Sequence, residues 1–536
     1  MSRRYLTVHG GQAHVRVGGA GGPVLVLPDI PGSGVGPASL ARDLAGSGAA
    51  VAVPDLIGAG GTTVDPAGAG DLAAQARLAA GVLDALGWGR VGVVGDGAGA
   101  AVALQLARAH PERVRSVAVL AAPYAGPEPV PAWDGVVDPH GAHLVSLWHE
   151  LRDMSAFSPF WRAARSSRRR RPMPDPAVLQ GLFADTLPHA PAHRSLAEAA
   201  RTAWPALAEA ARTAWPALAA TVRFLDVAAP YDAAAVLAAL GPLPGGVAAF
   251  PDPTEVAPYL YVDQPDGQLH VRTRRPEVAA DLPILLLHAN PGSAWGLEPL
   301  LAALGTDRLA LAPDLPGHGR SDPLPPGQRD TATLAGSYLP RVVALLDALG
   351  LDRVDVYGTH TGAGLGVELA IAAPSRVRCL VLNGVPLFDD DPELVAAVLD
   401  RYFVDLTPDE HGSHLVRAWH VNRDTGLWWP WFDHRTEAIR DVEPYPAEAV
   451  HRVTADLMFA LPAYAVAYRA GWTWPATRRL PLVKQSTLVG AAPTDPLGSM
   501  TPRALSLLPR ATAASFGGPE RIAATIRAFT RRVADG

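Results

Sequence analysis

Along this chain, short apolar runs closed by Gly or Pro alternate with Ala/Leu-rich stretches of helical period. In the second half the runs are Ile284–Leu287, Leu309–Ala312, Val354–Tyr357, Cys379–Leu382 and Thr487–Val489, with helical stretches such as Tyr338–Leu349 and Gly364–Ala373 between them. Strand-length runs alternating with helix-length patterns predict a mostly parallel sheet wrapped by helices, an α/β fold. From about 390 to 480 the rhythm breaks into a helical, polar, Trp-rich region, which reads as an insertion laid over the sheet. The first half has a counterpart from about 128 to 222.

The pattern occurs twice. The segment VLVLPDIPGSGVG from Val24 matches ILLLHANPGSAWG from Ile284, and AVPDLIGAG from Ala52 matches LAPDLPGHG from Leu311. Further on, Gly95–Gly99 matches Gly358–Gly362, and His140-Gly141-Ala142-His143-Leu144 with Trp148-His149 matches His411-Gly412-Ser413-His414-Leu415 with Trp419-His420. Order and spacing survive, so two tandem domains are expected, 1–256 and 257–536, packed on each other, with Pro251, Pro253 and Pro258 at the seam. The first insertion also holds an identical repeat, Leu196–Ala206 and Leu207–Ala217. Eleven residues is close to three helical turns, so it reads as a lengthened helix.

Composition narrows the function classes. The 536 residues carry 46 Lys+Arg against 52 Asp+Glu, a formal charge of −6, which argues against a nucleic-acid-binding protein. The run Arg168–Arg171 reads as a solvated loop. One cysteine, Cys379 in an apolar run, permits no internal disulfide or Cys-rich metal cluster and reads as a core thiol. With no signal-like start and no stretch of about 18 apolar residues, no membrane partner and a cytoplasmic location are expected.

Four features together resemble the α/β-hydrolase superfamily and span nearly all of both copies: the HxxPGS turn at His288–Ser293, PDLPGHGRSD at Pro313–Asp322, G-x-x-x-G at Gly358–Gly362, and GAAPTDP at Gly490–Pro496. The resemblance implies two α/β-hydrolase-fold domains, each with a helical lid, and it marks a departure. Where the family's G-x-S-x-G turn holds a nucleophilic serine, copy two has His360 and copy one Gly97. Neither elbow offers an oxygen or sulfur nucleophile. The family's general-base histidine is also missing, both from Ala513–Glu520 and from Ala248–Asp252. Only the acid position persists, as Asp495 and, in copy one, Asp232.

His360 and Asp495 are therefore the candidate catalytic pair. A non-glycine residue at an elbow's positive φ costs free energy, and copy two retains an imidazole where copy one relaxed to glycine. By motif position the oxyanion donors are the backbone N–H groups of Asn290 and Thr361, with Ile30 and Ala98 in copy one. Pocket candidates are His288 and His318, otherwise loop-fixing residues, together with His414, Trp419, Trp429 and Trp431 of the lid. The repeated HGxHL motif reads as a lid anchor. No cofactor and no metal are expected. These features favour a cofactor-independent, non-hydrolytic enzyme in copy two, acting on a large hydrophobic, aromatic or polyketide-type metabolite in a cyclisation, a C–C bond formation or cleavage, or a cofactor-free oxygenation, by His-assisted proton abstraction and oxyanion stabilisation. The alternatives are a hydrolase using His-activated water and a pseudoenzyme that binds a ligand or acts as a scaffold.

Overall fold

The computed structural model describes residues 1–535 except 132–135, 170–171, 214–221, 226–231, 244–249, 251–256 and 462. The seam at Pro251–Pro253, the Ala248-Ala249 and Pro251-Asp252 pairs, Arg170-Arg171 and the end of the second eleven-residue repeat lie outside the described residues. The chain divides into two compact units, Met1–Thr254 with Pro408–Ser413, and Glu255–Thr407 with His414–Gly536.

The first unit holds a seven-stranded sheet. Its strands are β1 (Ser2–Val8), β2 (Gly11–Gly18), β3 (Gly22–Leu27), β4 (Ala49–Pro54), β5 (Val91–Asp96), β6 (Val114–Ala121) and β7 (Val222–Phe224), in the spatial order β1-β2-β4-β3-β5-β6-β7. The antiparallel pairs are β1 with β2 and β2 with β4; from β4 through β3, β5 and β6 to β7 the pairing is parallel. Central strands β3, β4 and β5 are almost wholly buried, which explains why they read as unbroken apolar runs.

The second unit repeats the order with one strand more. Strands β8 (Tyr259–Gln264), β9 (Gly267–Arg274), β10 (Ile284–Leu287), β11 (Ala310–Pro313), β12 (Val354–Thr359), β13 (Val377–Asn383), β14 (Ser486–Ala491) and β15 (Ala511–Ser515) lie as β15-β14-β13-β12-β10-β11-β9-β8. Apolar layers cover both faces: Leu285, Leu287 and Val356 on one side, Ile284, Leu286 and Cys379 on the other. Cys379 is fully buried, donates to Asp355 Oδ1 at 3.1 Å, and has its thiol pKa pushed up, chiefly by burial.

Both insertions are helical. The first contains helices Ala142–Ala156, Pro176–Thr186 and Ala192–Thr213; the second contains Pro392–Arg401, Ser413–Thr425, Ala447–Ala460 and Tyr464–Trp472. In Ala192–Thr213 the eleven-residue repeat keeps its face, since Leu196 and Leu207, like Ala200 and Ala211, are buried. The HGxHL motif opens a lid helix in each copy. Asp138 Oδ1 accepts from the N–H groups of His140 and Ala142, and Asp409 Oδ1 from those of His411 and Ser413, with Gly141 and Gly412 at positive φ. Trp148 and Trp419, further along these helices, are fully buried.

Candidate active site

In copy two the turn between β12 and helix Thr361–Ala372 holds His360 at φ 49° and ψ −115°. Among the described residues no other non-glycine has a positive φ. The turn is fixed from both sides: the His360 N–H donates to the Asn383 carbonyl at 3.0 Å, and its own carbonyl accepts from Ala363 at 2.8 Å. Asp495 follows β14, two strands away, and the two side chains meet. His360 Nε2 lies 2.9 Å from Asp495 Oδ2 and 3.1 Å from Oδ1. Burial by itself raises the Asp495 pKa, but the His360 hydrogen bond and charge, the Leu497 amide and Arg440 outweigh it and hold the carboxyl below the ordinary carboxylate range.

Gly384, which follows β13 at φ +65°, makes room for this pair. A Cβ there would lie 2.6 Å from His360 Cδ2 and 2.8 Å from Asp495 Oδ2. Facing an ionised carboxylate, a neutral imidazole carries its proton on Nε2 and leaves the Nδ1 lone pair free. Nδ1 has no protein partner among the described residues. The elbow side chain thus reaches the acid directly, without the separate histidine that the turn after β15 lacks; Phe516, buried, stands in that turn.

The two motif-assigned donors lie in the segments that flank this pair. Thr361 is the first residue of the helix that His360 caps, and Asn290 follows β10, next to β12 in the sheet. Neither backbone N–H has a protein acceptor among the described residues. The Asn290 carboxamide is buried, and neither of its polar atoms has a hydrogen-bond partner among the described residues.

The other expected residues lie around this pair or in the lid. His288 is buried, its Nε2 accepts from the Leu315 N–H at 2.9 Å and its Nδ1 donates to the Ala289 carbonyl at 2.9 Å; burial lowers its pKa. It ties the Asn290 turn to the PDLPGHG loop. His318 packs edge-on against it, ring centroids 5.5 Å apart, and burial pushes its pKa down to about 3. His414 and Trp419 lie fully buried on helix Ser413–Thr425. Trp429 and Trp431 surround Tyr402, with Phe388, Trp472 and Leu497 in the same apolar cluster. That cluster starts two residues from Asp495, whose Oδ1 accepts from the Leu497 N–H. In copy one, Asp232 is an exposed N-cap, accepting from the Ala234 N–H at 2.9 Å. It is a capping group there rather than a partner for the elbow. Among the described residues no group of three or more His, Cys, Asp or Glu is placed to hold a metal ion.

The family model for the alpha/beta hydrolase fold matches twice, over residues 22–151 and 283–412. The protein carries the α/β-hydrolase fold in tandem. Its curated relatives include the 2-hydroxy-6-oxo-2,4-heptadienoate hydrolase of Pseudomonas putida, 36% identical over 119 residues, which is 21% of this chain and 41% of that protein. The 2-hydroxymuconate semialdehyde hydrolase of Pseudomonas sp. strain CF600 is 33% identical over 117 residues, 21% of this chain and 40% of its own. The chain thus spans about two fifths of the length of these relatives. A solved hydrolase from Pseudomonas aeruginosa is 24% identical, with a TM-score of 0.39, over 51% of this chain and 98% of its own.

Three features of the two α/β-hydrolase domains have no counterpart in the sequence reading. A histidine on the second strand of each sheet pairs with the Asp of the PDL motif: His14 Nδ1 with Asp55 at 2.7 Å, His270 Nδ1 with Asp314 at 2.8 Å. Each Asp also accepts two backbone N–H groups of the loops that frame the site, Gly34 and Gly61 in copy one, Ala294 and Arg320 in copy two. The serine of each PGS turn is bonded to a lid aspartate, Ser33 to Asp185 at 2.6 Å and Ser293 to Asp456. In copy one, Asp29 lies against the elbow. The aligned copies hold the signal for the first two, since these residues recur at matched places in both.

Proposed function

We propose that copy two is a cofactor-independent enzyme whose His360 takes a proton from a conjugated, carbonyl-bearing small molecule. The observation that carries this is the His360–Asp495 hydrogen bond, which leaves Nδ1 available as a base; the motif-assigned donors, the Asn290 and Thr361 N–H groups, have no protein acceptor among the described residues. In the step proposed, a C–H or O–H proton next to a carbonyl moves to Nδ1, and the electron pair moves onto the carbonyl oxygen. That enolate oxygen accepts from the Asn290 and Thr361 N–H groups, and Asp495 stabilises the imidazolium. The aromatic cluster beside Leu497 supports a flat, apolar remainder of the ligand.

The relatives act on 2-hydroxymuconate semialdehyde and 2-hydroxy-6-oxo-2,4-heptadienoate, conjugated acids with an enolisable carbonyl, and compounds of this kind are the first substrates to test. The names of these relatives, all hydrolases, favour a second reading, in which His360 activates a water for attack on the same carbonyl. Incubation of such dienoates in D2O separates the two. Proton abstraction incorporates deuterium at carbon without chain cleavage, and loses it in His360→Gln. Hydrolysis yields two fragments, one labelled from 18O-water. Neither outcome with any conjugated keto acid would sink both readings.

A further inference from the structure

Ile30 and Ala98 of copy one align with Asn290 and Thr361, the donors assigned by motif in copy two, and copy one shows what its pair holds. The Ile30 and Ala98 N–H groups both donate to one atom, Oδ1 of Asp29, each at 2.8 Å. Ala98 is the first residue of helix Ala98–Ala109, so this carboxylate sits at the positive end of a helix dipole. Its other oxygen faces the lid, with Arg169 Nη2 at 3.5 Å. The elbow residue is cut back to fit. A Cβ on Gly97, which has φ +50°, would lie 1.9 Å from Asp29 Oδ1 and 2.0 Å from its Cγ, so no elbow side chain coexists with this carboxylate. Two cavities border Asp29: one of about 40 Å³, lined also by Gly97, Tyr124, Trp161 and Arg169, and one of about 260 Å³, lined also by Ile30, Asp96, Leu151 and Arg169. In copy two the residue aligned with Asp29 is Ala289.

We propose that Asp29 is a built-in ligand of copy one's anion site: the chain's own carboxylate fills the position that a ligand oxygen would take, and the site behind it is a working receptor for a small monocarboxylate. Two amide donors converging on one oxygen, a helix N-terminus and a nearby guanidinium form a site suited to a planar carboxylate. Copy one is thereby closed to a substrate carbonyl, and its glycine elbow is the steric condition for that closure.

Asp29→Ala tests this in the full chain. Formate or acetate should raise the unfolding midpoint of the variant, the gain growing with the logarithm of concentration above the dissociation constant and reaching about a hundredfold in the folding equilibrium at a hundred times that constant, whereas wild type and matched sodium chloride show no such response. A folded Asp29→Ala protein indifferent to formate and acetate, or a wild type that responds equally, overturns the proposal. Should Asp29→Ala not fold, Asp29→Asn keeps the shape and removes the charge. Amide exchange at Ile30 and Ala98 should then quicken several-fold as charge-assisted bonds become neutral ones, and unchanged exchange overturns the proposal.

Discussion

At the scale of single residues, the site turns on one imidazole and the space made for it. His360 bears a positive φ that favours glycine, and its partner Asp495 is held ionised by it. If it is the base, His360→Ala should lower turnover by about 10²–10⁴-fold with little change in ligand affinity, as read from kcat against Kd. Gly384→Ala tests position rather than chemistry. The new methyl falls within 2.6 Å of the His360 ring, so the pair must separate, and turnover should drop by about a hundredfold although both partners remain. Wild-type turnover in Gly384→Ala would mean that the hydrogen bond is not used.

At the scale of elements, each lid is tied to its PGS turn through one carboxylate. Asp456, on helix Ala447–Ala460, bonds both the N–H and the hydroxyl of Ser293, three residues from Asn290. Burial, together with the nearby Asp314 charge, pushes its pKa up to about 6 from 3.8, despite the Ser293 hydrogen bonds. A carboxyl with a raised folded pKa adds stability fully below the unfolded pKa, and that stability is lost as pH rises through the folded value. The second unit should therefore weaken between about pH 4 and pH 7, by about 3 kcal/mol for a 2-unit shift. Asp456→Asn keeps a donor and an acceptor for Ser293 and removes the titration. Its denaturant midpoint should match wild type near pH 4 and exceed it at pH 8; equal midpoints at pH 8 would show that the carboxylate is not strained there.

For the whole molecule, duplication preserved the frame and let the two sites diverge. The His14–Asp55 and His270–Asp314 pairs are both present, as are both serine–aspartate tethers. The elbows are Gly97 with a carboxylate against it and His360 bonded to one. Since neither elbow offers a hydroxyl or thiol, a fluorophosphonate probe should label neither position. His360→Ser should also stay inert as an esterase, because Phe516-Gly517-Gly518 supplies no base after β15. Stoichiometric labelling of wild type at residue 97 or 360, read by peptide mass, would contradict this account.

The repeat, the α/β architecture and the loss of the serine were legible in the sequence because they rest on local facts: strand-length apolar runs, turn glycines and the identity of one residue in a motif. The strands Ile284–Leu287 and Val354–Thr359 came through clearly because a buried parallel strand must be apolar along its length. What surrounds the elbow was decided by tertiary structure. Motif order names His360 and Asp495 as a pair, but only the fold fixes their contact at 2.9 Å across 135 positions, and nothing local says that His288 spends both ring nitrogens on backbone. Asp232 shows the converse, since a residue aligned by order alone became a helix cap once folded. Asp29 could not be read as a ligand either. A carboxylate beside a proline is unremarkable until strands β3 and β5 pair and bring the Ile30 and Ala98 N–H groups to the same oxygen, because hydrogen-bond partners are chosen by distances in space that only the assembled sheet fixes.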